Sequence, residues 1–335
     1  MKKILITGGA GFIGSNFIRY VLKKYPKYQI INLDKLTYCG NLDNLKGIKS
    51  KNYHFVKGDI CNKKLVDDLA SKCECIINFA ACTHVDRSIL DATDFIKTNI
   101  YGTNILLEAA KKHKVSKFIQ ISTDEVYGST LKGSFKEGDP LEPNSPYSAS
   151  KAAGDLLALS YFTTHKIPVI ITRSSNNFGP YQYPEKLMPL FITNAYEGEQ
   201  LPIYGDGKNI RDWIYVLDNC RAIDKVWHKG KVGQVYNIGA GNEETNMKIT
   251  KLILKHLKKG QELIKYVADR PGHDRRYSLN CNKLKKLGWK PIYKFEDALK
   301  KTVDWFLDNE LWWQKIKKKK KQYSKYYKKQ YGCSK

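Results

Sequence analysis

Two acidic side chains stand next to each other where a hydrophobic run of the sequence ends. The run KFIQIS, residues 117–122, has the composition of a buried strand, and Thr123, Asp124 and Glu125 follow it directly. Charged carboxylates side by side at the end of a buried strand are costly. The pair is therefore a candidate for acid–base chemistry, and its alternative interpretation is a solvated strand terminus.

A glycine-rich turn near the N-terminus has the spacing of a nucleotide-binding loop. The segment TGGAGFIG, residues 7–14, follows a predicted strand and opens a predicted helix, with Gly8, Gly11 and Gly14 in every third position. Glycines permit a tight turn and a close approach of the backbone to a pyrophosphate, and the helix N-terminus supplies N–H donors. The sequence therefore predicts a bound dinucleotide.

The dinucleotide is predicted to be NAD. Asp34 ends the second predicted strand, where its carboxylate would accept hydrogen bonds from the adenosine ribose and repel a 2′-phosphate. Lys35 beside it weakens the preference for NAD over NADP a little. Asp59 and Ile60 end the third predicted strand, where the adenine edge would lie.

The segment YSASK places Tyr147 and Lys151 on one face at the start of a predicted helix. A tyrosine phenol has a pKa of about 10, and both a neighbouring ammonium and the nicotinium charge of NAD⁺ would favour the phenolate. Lowering that pKa to about 7 corresponds to roughly 4 kcal/mol of differential interaction. The same spacing also arises by chance in a chain rich in Tyr and Lys.

The elements that must position these residues alternate between strand and helix through the first half of the chain. Such alternation predicts an α/β fold with a doubly wound parallel sheet of the Rossmann type. Helices are predicted over 15–24, 100–112 and 148–165, and strands over the segments KKILITGG, YQIINLD, YHFVKGD, CECIINFAA, KFIQIST and PVIITRSS.

After Arg173 the sequence is rich in loops, which predicts a smaller, discontinuous α/β lobe over the carboxyl ends of the strands. WIYVLDNCRAIDKVWHKG and GQVYNIGA have the pattern of elements that return to the main sheet. We therefore predict an NAD-binding domain from 1–172 with 213–240, a substrate lobe from 173–212 with 241–312, and a basic tail over 313–335.

Composition excludes several classes of protein. The chain has 335 residues, of which 42% are hydrophobic, so it is a folded globular protein. No apolar stretch approaches the roughly 20 residues that cross a bilayer, and the N-terminus is predicted to be a strand, which suits a cytoplasmic protein. Its 8 cysteines lack a repeated C-x-x-C spacing, so we predict free thiols and no metal site.

The net charge of +25 suits an anionic partner. Most of the excess lysines are scattered over predicted helix surfaces, where they would help to steer a phosphorylated substrate. The exception is the tail segment 314–335, which contains no acid. A solvated tail and a non-specific nucleic-acid contact are both open interpretations of it.

Six long motifs together resemble the nucleoside-diphosphoglucose 4,6-dehydratases of the extended short-chain dehydrogenase/reductase superfamily. The resemblance covers about residues 1–312. The motifs are THVDRSI (83–89), STDEVYG (122–128), PYSASKAAGD (146–155), NNFGPYQYPEKLMP (176–189), GDGKNIRDWIYV (205–216) and ADRPGHDRRY (268–277).

The resemblance implies an elimination carried out by the acids at the strand end. Tyr147, as phenolate, would take the proton of the glucosyl 4-hydroxyl while hydride passes from C4 to NAD⁺, and Lys151 would support it. Glu125 would then remove the C5 proton, and protonated Asp124 would give its proton to the departing 6-hydroxyl before the hydride returns to C6. Thr123 would hydrogen-bond the sugar near O4.

The resemblance also assigns binding residues. Those for the cofactor are Gly8, Gly11, Phe12, Ile13, Gly14, Asp34, Lys35, Asp59, Ile60, Ala80, Ala81, Asn99, Tyr147, Lys151 and Asn177. Those for the substrate are Thr83, Thr123, Asn176, Lys186, Leu187, Pro202, Tyr204, Arg211, Asn246, Arg270 and His273. Loop capping is an alternative role for Asn176 and Asn177, and a simple turn position is one for His273.

The finer assignments depend on weaker signals. The motif around 172–187 is similar to that of UDP-glucose-using relatives, whereas THVDRSI and RDWIYV resemble those of dTDP-glucose-using ones, and we predict a slight preference for UDP-glucose. Cys82 stands where the family is expected to have Glu or Gln, which affects the expected substrate preference or rate. The family also implies a homodimer through helices 100–112 and 148–165, and a deoxyhexose pathway of the rhamnose type. The alternatives are a nucleotide-sugar 4-epimerase, which has no use for the acid pair, and an NAD-bound scaffold with a nucleic-acid-binding tail.

Overall fold

The computed structural model describes residues 2–319. Its strands are Lys3–Thr7 (β1), Gln29–Asp34 (β2), Tyr53–Lys57 (β3), Cys75–Asn78 (β4), Lys117–Thr123 (β5), Val169–Ser174 (β6), Asn176–Phe178 (β7), Leu201–Tyr204 (β8), Ile210–Tyr215 (β9), Gln234–Ile238 (β10), Glu243–Thr245 (β11) and Ile264–Val267 (β12).

The α-helices are Phe12–Lys24 (α1), Lys63–Ala70 (α2), Val85–Leu90 (α3), Thr93–Phe95 (α4), Thr103–Lys112 (α5), Pro146–His165 (α6), Leu187–Glu197 (α7), Val216–Lys229 (α8), Asn246–His256 (α9), Asn282–Lys286 (α10), Phe295–Asp308 (α11) and Glu310–Lys319 (α12). Tighter 3₁₀ turns cover Leu42–Leu45, Asp124–Tyr127 and Gln261–Leu263, and a wider π-helical segment covers Ile96–Gly102.

The main sheet has seven strands in the order β10-β6-β5-β4-β1-β2-β3, and all its pairs are parallel. Alternate side chains of each strand face opposite layers. In β1, Ile4 and Ile6 pack with α1 and α8, whereas Leu5 packs with the layer that contains α2 and α5. The doubly wound α/β fold is confirmed, including the return of 234–238 to the main sheet.

A smaller lobe covers the carboxyl ends of these strands. It contains a three-stranded sheet in the order β11-β9-β7 and a two-stranded sheet of β12 and β8. Helices α7, α9, α11 and α12 enclose its separate hydrophobic core. Strand β9 includes 213–215, which the sequence assigned to the main domain. Trp213 and Tyr215 pack into this second core, whereas Ile214 between them packs into the core of the main sheet.

One predicted helix boundary and the predicted start of the tail differ from the structure. The predicted helix 100–112 is α-helical only from Thr103, because the π-helical segment precedes it without a break. The predicted tail begins inside α12, where Trp313 and Ile316 are 1% exposed and extend the core of the smaller lobe. The rest of the tail, 320–335, lies outside the described residues. Among residues 2–319, no helix is long and apolar enough to cross a membrane.

Candidate active site

The glycine turn brings backbone close to backbone at the carboxyl end of β1. Gly8 has a φ of +69°, and a Cβ there would lie 2.6 Å from the backbone N of Ala80. A Cβ on Gly14 would lie 2.4 Å from the carbonyl oxygen of Gly8. Since α1 begins at Phe12, its first N–H groups point toward the cavity that this turn borders, which suits a pyrophosphate.

The adenosine end of the site holds a buried carboxylate beside a neutralised lysine. Asp34 accepts the N–H of Ala10 at 2.9 Å and that of Leu36 at 2.8 Å, and burial raises its pKa. Lys35 Nζ lies 2.8 Å from Asp59 Oδ2, so its charge already has a counter-ion. This arrangement fits a ribose with free hydroxyls better than a 2′-phosphate, as the sequence predicted.

One cavity of about 270 Å³ runs from this turn to the strand-end acids. It brings together the predicted cofactor residues with the exception of Asn99, and it also contains Thr83 and Thr123. Asn99 is buried behind the wall, where it accepts the N–H of Cys82 at 2.9 Å and donates to the Cys82 carbonyl at 3.1 Å. Asn99 therefore shapes the cavity through Cys82, and its predicted direct contact is corrected to this role.

The acid pair lies on the 3₁₀ turn after β5. Asp124 is buried, its Oδ1 accepts from the Thr123 hydroxyl at 3.1 Å, and its Oδ2 has no hydrogen-bond partner among the described residues. Burial and the charge of Glu125 raise the pKa of Asp124 well above its usual range. Burial also raises the pKa of Glu125, but Arg270 and Lys186 oppose that rise. Asp124 is therefore the better proton donor and Glu125 the better base.

The tyrosine and the lysine line the same cavity without a direct bond between them among the described contacts. Lys151 Nζ donates to the Ile121 carbonyl at 2.6 Å, and burial lowers its pKa to about 8. Burial, together with the charge of Glu125, raises the pKa of Tyr147 above 10. The chain alone thus moves the pKa of Tyr147 opposite to the predicted direction, and a positive charge placed in this cavity would oppose that rise.

A second cavity, of about 150 Å³, adjoins the first. Glu125, Asn176 and Lys186 line both. The predicted substrate residues that line the second cavity are Asn176, Lys186, Leu187, Pro202, Tyr204, Arg211, Asn246, Arg270 and His273. Together the two cavities contain the entire predicted substrate set.

Positive charges gather around the second cavity. Arg211 lies over the Tyr277 ring, 4.1 Å from its centroid, and donates to the Asp274 carbonyl at 2.8 Å. Lys186 Nζ donates to the Thr83 carbonyl at 2.9 Å. Guanidinium and ammonium groups held in this way suit the oxygens of a diphosphate.

Several site residues were missed although their motifs were recognised. Asp86 and His84 border the second cavity, as does Glu185, whose carboxylate lies 2.7 Å from Arg87 Nη2. They lie within THVDRSI and YPEKLMP, so the signal was present in the segments. The residues that pair with one another are far apart in sequence, and the motifs do not show the pairing.

Comparisons with known proteins agree with this geometry. The family model of GDP-mannose 4,6 dehydratase matches residues 5–302. The dTDP-glucose 4,6-dehydratase of Streptomyces niveus is 51% identical over 321 residues, which are 94% of this chain and 96% of that relative.

Two solved structures extend the similarity to the whole fold. The dTDP-glucose 4,6-dehydratase of Bacillus anthracis, in complex with NAD, is 52% identical with a TM-score of 0.89 and covers 94% of this chain and 100% of its own. The dTDP-glucose 4,6-dehydratase of Streptomyces venezuelae, also with NAD bound, is 46% identical with a TM-score of 0.92 and covers 94% of this chain and 99% of its own.

Proposed function

This chain belongs to the GDP-mannose 4,6-dehydratase family and, within it, to the nucleoside-diphosphoglucose 4,6-dehydratases of the extended short-chain dehydrogenase/reductase superfamily. From that premise we propose which residue carries out each step of the reaction. The enzyme is an NAD-dependent hydro-lyase that converts a nucleoside-diphosphoglucose into the 4-keto-6-deoxy sugar. The observation that carries the proposal is the position of Glu125, which lines both cavities beside Asp124 and in reach of the space bordered by Tyr147.

NAD, when bound along the first cavity, supplies the chemistry of taking a hydride from C4 of the glucosyl unit and giving it back at C6. The turn Gly8–Gly14 and Asp34 would hold its pyrophosphate and ribose. Tyr147 accepts the proton of the 4-hydroxyl as that alcohol becomes a ketone. Thr123, at the end of β5, orients the 4-oxygen.

The acid pair performs the loss of water. The 4-ketone acidifies the C5 proton, which Glu125 removes as general base. Asp124 gives its proton to the 6-hydroxyl as the C6–O bond breaks, so a neutral water leaves and a C5–C6 double bond forms. Glu125, protonated in the first of these steps, would then return a proton to C5, which restores saturation once C6 has received the hydride. A 4-epimerase has no step that needs these two acids.

The nucleoside is the finer part of the proposal. The similar enzymes at 51% and 52% identity are named for dTDP-glucose, which favours dTDP-glucose as the better substrate. The slight preference for UDP-glucose, which the motif around 172–187 predicted, stays a prediction. We propose that both are accepted and that the product feeds deoxyhexose synthesis of the rhamnose type.

The assembly and the domain division are proposed on the same basis. Two apolar side chains on the predicted dimer helices are exposed, Tyr101 at 51% and Leu156 at 58%, and Ile96, on the π-helical segment that leads into the first of these helices, is 54% exposed. Burying this face against a second copy would remove it from water, which supports a homodimer. We propose the NAD-binding and substrate domains as predicted, except that all of β9 and α12 are assigned to the smaller lobe.

The test is a paired incubation in D₂O with dTDP-glucose and UDP-glucose, followed by mass spectrometry of the sugar nucleotide. Loss of water with one solvent deuterium at C5 is the expected result, and the ratio of the initial rates ranks the nucleosides. A galactosyl product without loss of water would identify an epimerase instead. Absence of reaction with both substrates, in protein that carries bound NAD, would refute the roles given to the acids.

A further inference from the structure

A buried carboxylate on the short helix α3 holds two side chains of the second cavity at once. Asp86 is 4% exposed. Its Oδ1 lies 2.7 Å from Arg270 Nη1, and its Oδ2 accepts from the Tyr204 hydroxyl at 2.9 Å. These partners are 184 and 118 residues away in sequence, on the loop after β12 and at the end of β8. Asp86 is therefore the common anchor of two cavity walls.

The bond to Asp86 leaves part of the Arg270 guanidinium available. Arg270 Nε is buried and has no hydrogen-bond partner among the described residues. A guanidinium presents its five donors in a rigid plane, so fixing one edge fixes the direction of the others. The remaining donors belong to a side chain that lines the second cavity together with Lys186 and Arg211.

The anchor keeps its charge. Burial opposes ionisation, but the fields of His84 and Arg270 and the hydrogen bonds from Arg270 and Tyr204 lower the pKa of Asp86 to about 2. A permanent negative charge at this position balances one of the clustered cations. The carboxylate of Asp86 thereby allows Arg270 to remain near Lys186 and Arg211 before a diphosphate binds.

The same helix also reaches the tyrosine of the first cavity. Ser88, two residues after Asp86, accepts the backbone N–H of Tyr147 at 3.1 Å through its hydroxyl oxygen. Helix α3 therefore contacts Arg270, which would bind the diphosphate, and the start of α6, which carries the phenol of Tyr147. A shift of α3 would alter both cavities.

We propose that Asp86 is a positioning residue for nucleoside-diphosphate recognition, which holds the Arg270 guanidinium and the Tyr204 hydroxyl in one geometry so that Arg270 donates to the diphosphate. This inference rests on the proposed function of the second cavity. It adds a residue that does not itself bind the substrate. Its role is to fix the direction in which Arg270 donates.

The test measures binding of thymidine diphosphate and uridine diphosphate to the full-length NAD-bound enzyme by calorimetry. Asp86→Asn removes the charge and keeps the size, and it should weaken binding by about 30-fold or more. Tyr204→Phe breaks one of the two bonds without stranding a charge and should weaken binding by about 5-fold. Asp308→Asn, an exposed acid on α11, is the matched control and should bind as the unchanged enzyme does.

A double-mutant cycle separates positioning from general damage. If Asp86 acts through Arg270, Asp86→Asn should add little to the loss caused by Arg270→Gln. KM should rise much more than kcat falls, and the content of bound NAD should stay the same. If Asp86→Asn alone is unstable, Tyr204→Phe, which leaves the charge of Asp86 in place, still tests the inference by its effect on nucleoside-diphosphate affinity.

Two results would overturn the inference while leaving the proposed function intact. One is unchanged nucleoside-diphosphate affinity in both Asp86→Asn and Tyr204→Phe. The other is a full additive loss in the cycle, which would mean that Asp86 and Arg270 act independently. By contrast, failure of the unchanged enzyme to bind either diphosphate would refute the proposed function itself.

Discussion

Replacing each acid of the pair by its amide should stop the reaction at two different points. Asp124→Asn keeps the volume of the side chain and leaves it neutral. It also keeps an oxygen that can accept from the Thr123 hydroxyl, which in the unchanged enzyme lies 3.1 Å from Asp124 Oδ1. It removes the acidic proton that the leaving hydroxyl needs. Glu125→Gln removes the base that takes the C5 proton.

The size of the loss follows from the roles. A positioned general acid or base contributes about 10² to 10⁴ in rate, or about 3–5 kcal/mol of transition-state stabilisation. The folded state should lose little, because burial already favours the neutral form of Asp124 and an amide is neutral as well. Both variants should therefore dehydrate about 10² to 10⁴ times more slowly, and Asp124→Asn should unfold at nearly the same temperature as the unchanged enzyme.

The assay follows three signals in single turnovers in D₂O: reduced nicotinamide by absorbance, solvent deuterium at C5 and loss of water by mass spectrometry. Asp124→Asn should still oxidise C4 and exchange the C5 proton, since Glu125 remains. Glu125→Gln should oxidise C4 and show neither exchange nor water loss. Asp308→Asn, which is exposed, serves as the control. Equal C5 exchange in the two amide variants, or water loss at the unchanged rate in either, would refute the division of roles.

Three further predictions concern buried groups. Asp155→Asn should move the alkaline limb of the pH–rate profile to lower pH. Burial lowers the pKa of Lys151 to about 8, and the charge of Asp155 opposes this, so removing that charge should lower the pKa of Lys151 further. Unfolding at a series of pH values should show stability lost as pH falls from about 6.5 toward 4. Burial lowers the pKa of His84 to about 4, so in that window only the unfolded chain is protonated at this position, and His84→Gln should remove up to about 3 kcal/mol of the dependence. Peptide mapping after iodoacetamide treatment should show Cys82 alkylated more slowly than a free cysteine, because burial raises its pKa; equally fast labelling would contradict this.

The main sheet could be predicted because its signals are local. Each of its first six strands is a short run of β-branched and apolar residues that ends at a turn, and each was found where the sequence placed it. The turn 7–14 and Asp34 belong to the same class of signal, since their conformation depends on neighbours along the chain. Local chemistry therefore gave both the fold class and the cofactor.

What depends on tertiary packing could not be predicted. The π-helical turns before Thr103 occupy a segment whose Asn99 bonds the main chain of Cys82, a contact that no periodicity reveals. Similarly, the lysines of α12 suggested a solvated tail, whereas Trp313 of that helix is buried and Lys317 lies over its ring. In each case the decisive partner is distant in sequence.

The same reasoning explains why site residues were easier to name than to pair. Motifs predicted that Arg270 would reach the substrate, and the structure places it at the second cavity. They gave no sign that Asp86 holds it from 184 residues away. Ionic pairs of this kind are fixed by topology, so a sequence without its fold shows two charged residues and not one bond.

The electrostatics of the site also bear on why the cofactor must be oxidised before the reaction can begin. Burial raises the pKa values of Tyr147 and Asp124, whereas Arg270 and Lys186 oppose the rise at Glu125, so the chain by itself favours a protonated phenol and a protonated Asp124 beside a more acidic Glu125. A positive nicotinamide would lower all of these pKa values and would act most strongly on the nearest group. Loss of that charge on reduction would restore the preference of the phenol for its proton, and Glu125, which Arg270 and Lys186 favour as the carboxylate, would still serve as the base of the elimination. The order of the proton transfers would thus follow the charge of the ring, which suits a cofactor that is regenerated within each turnover.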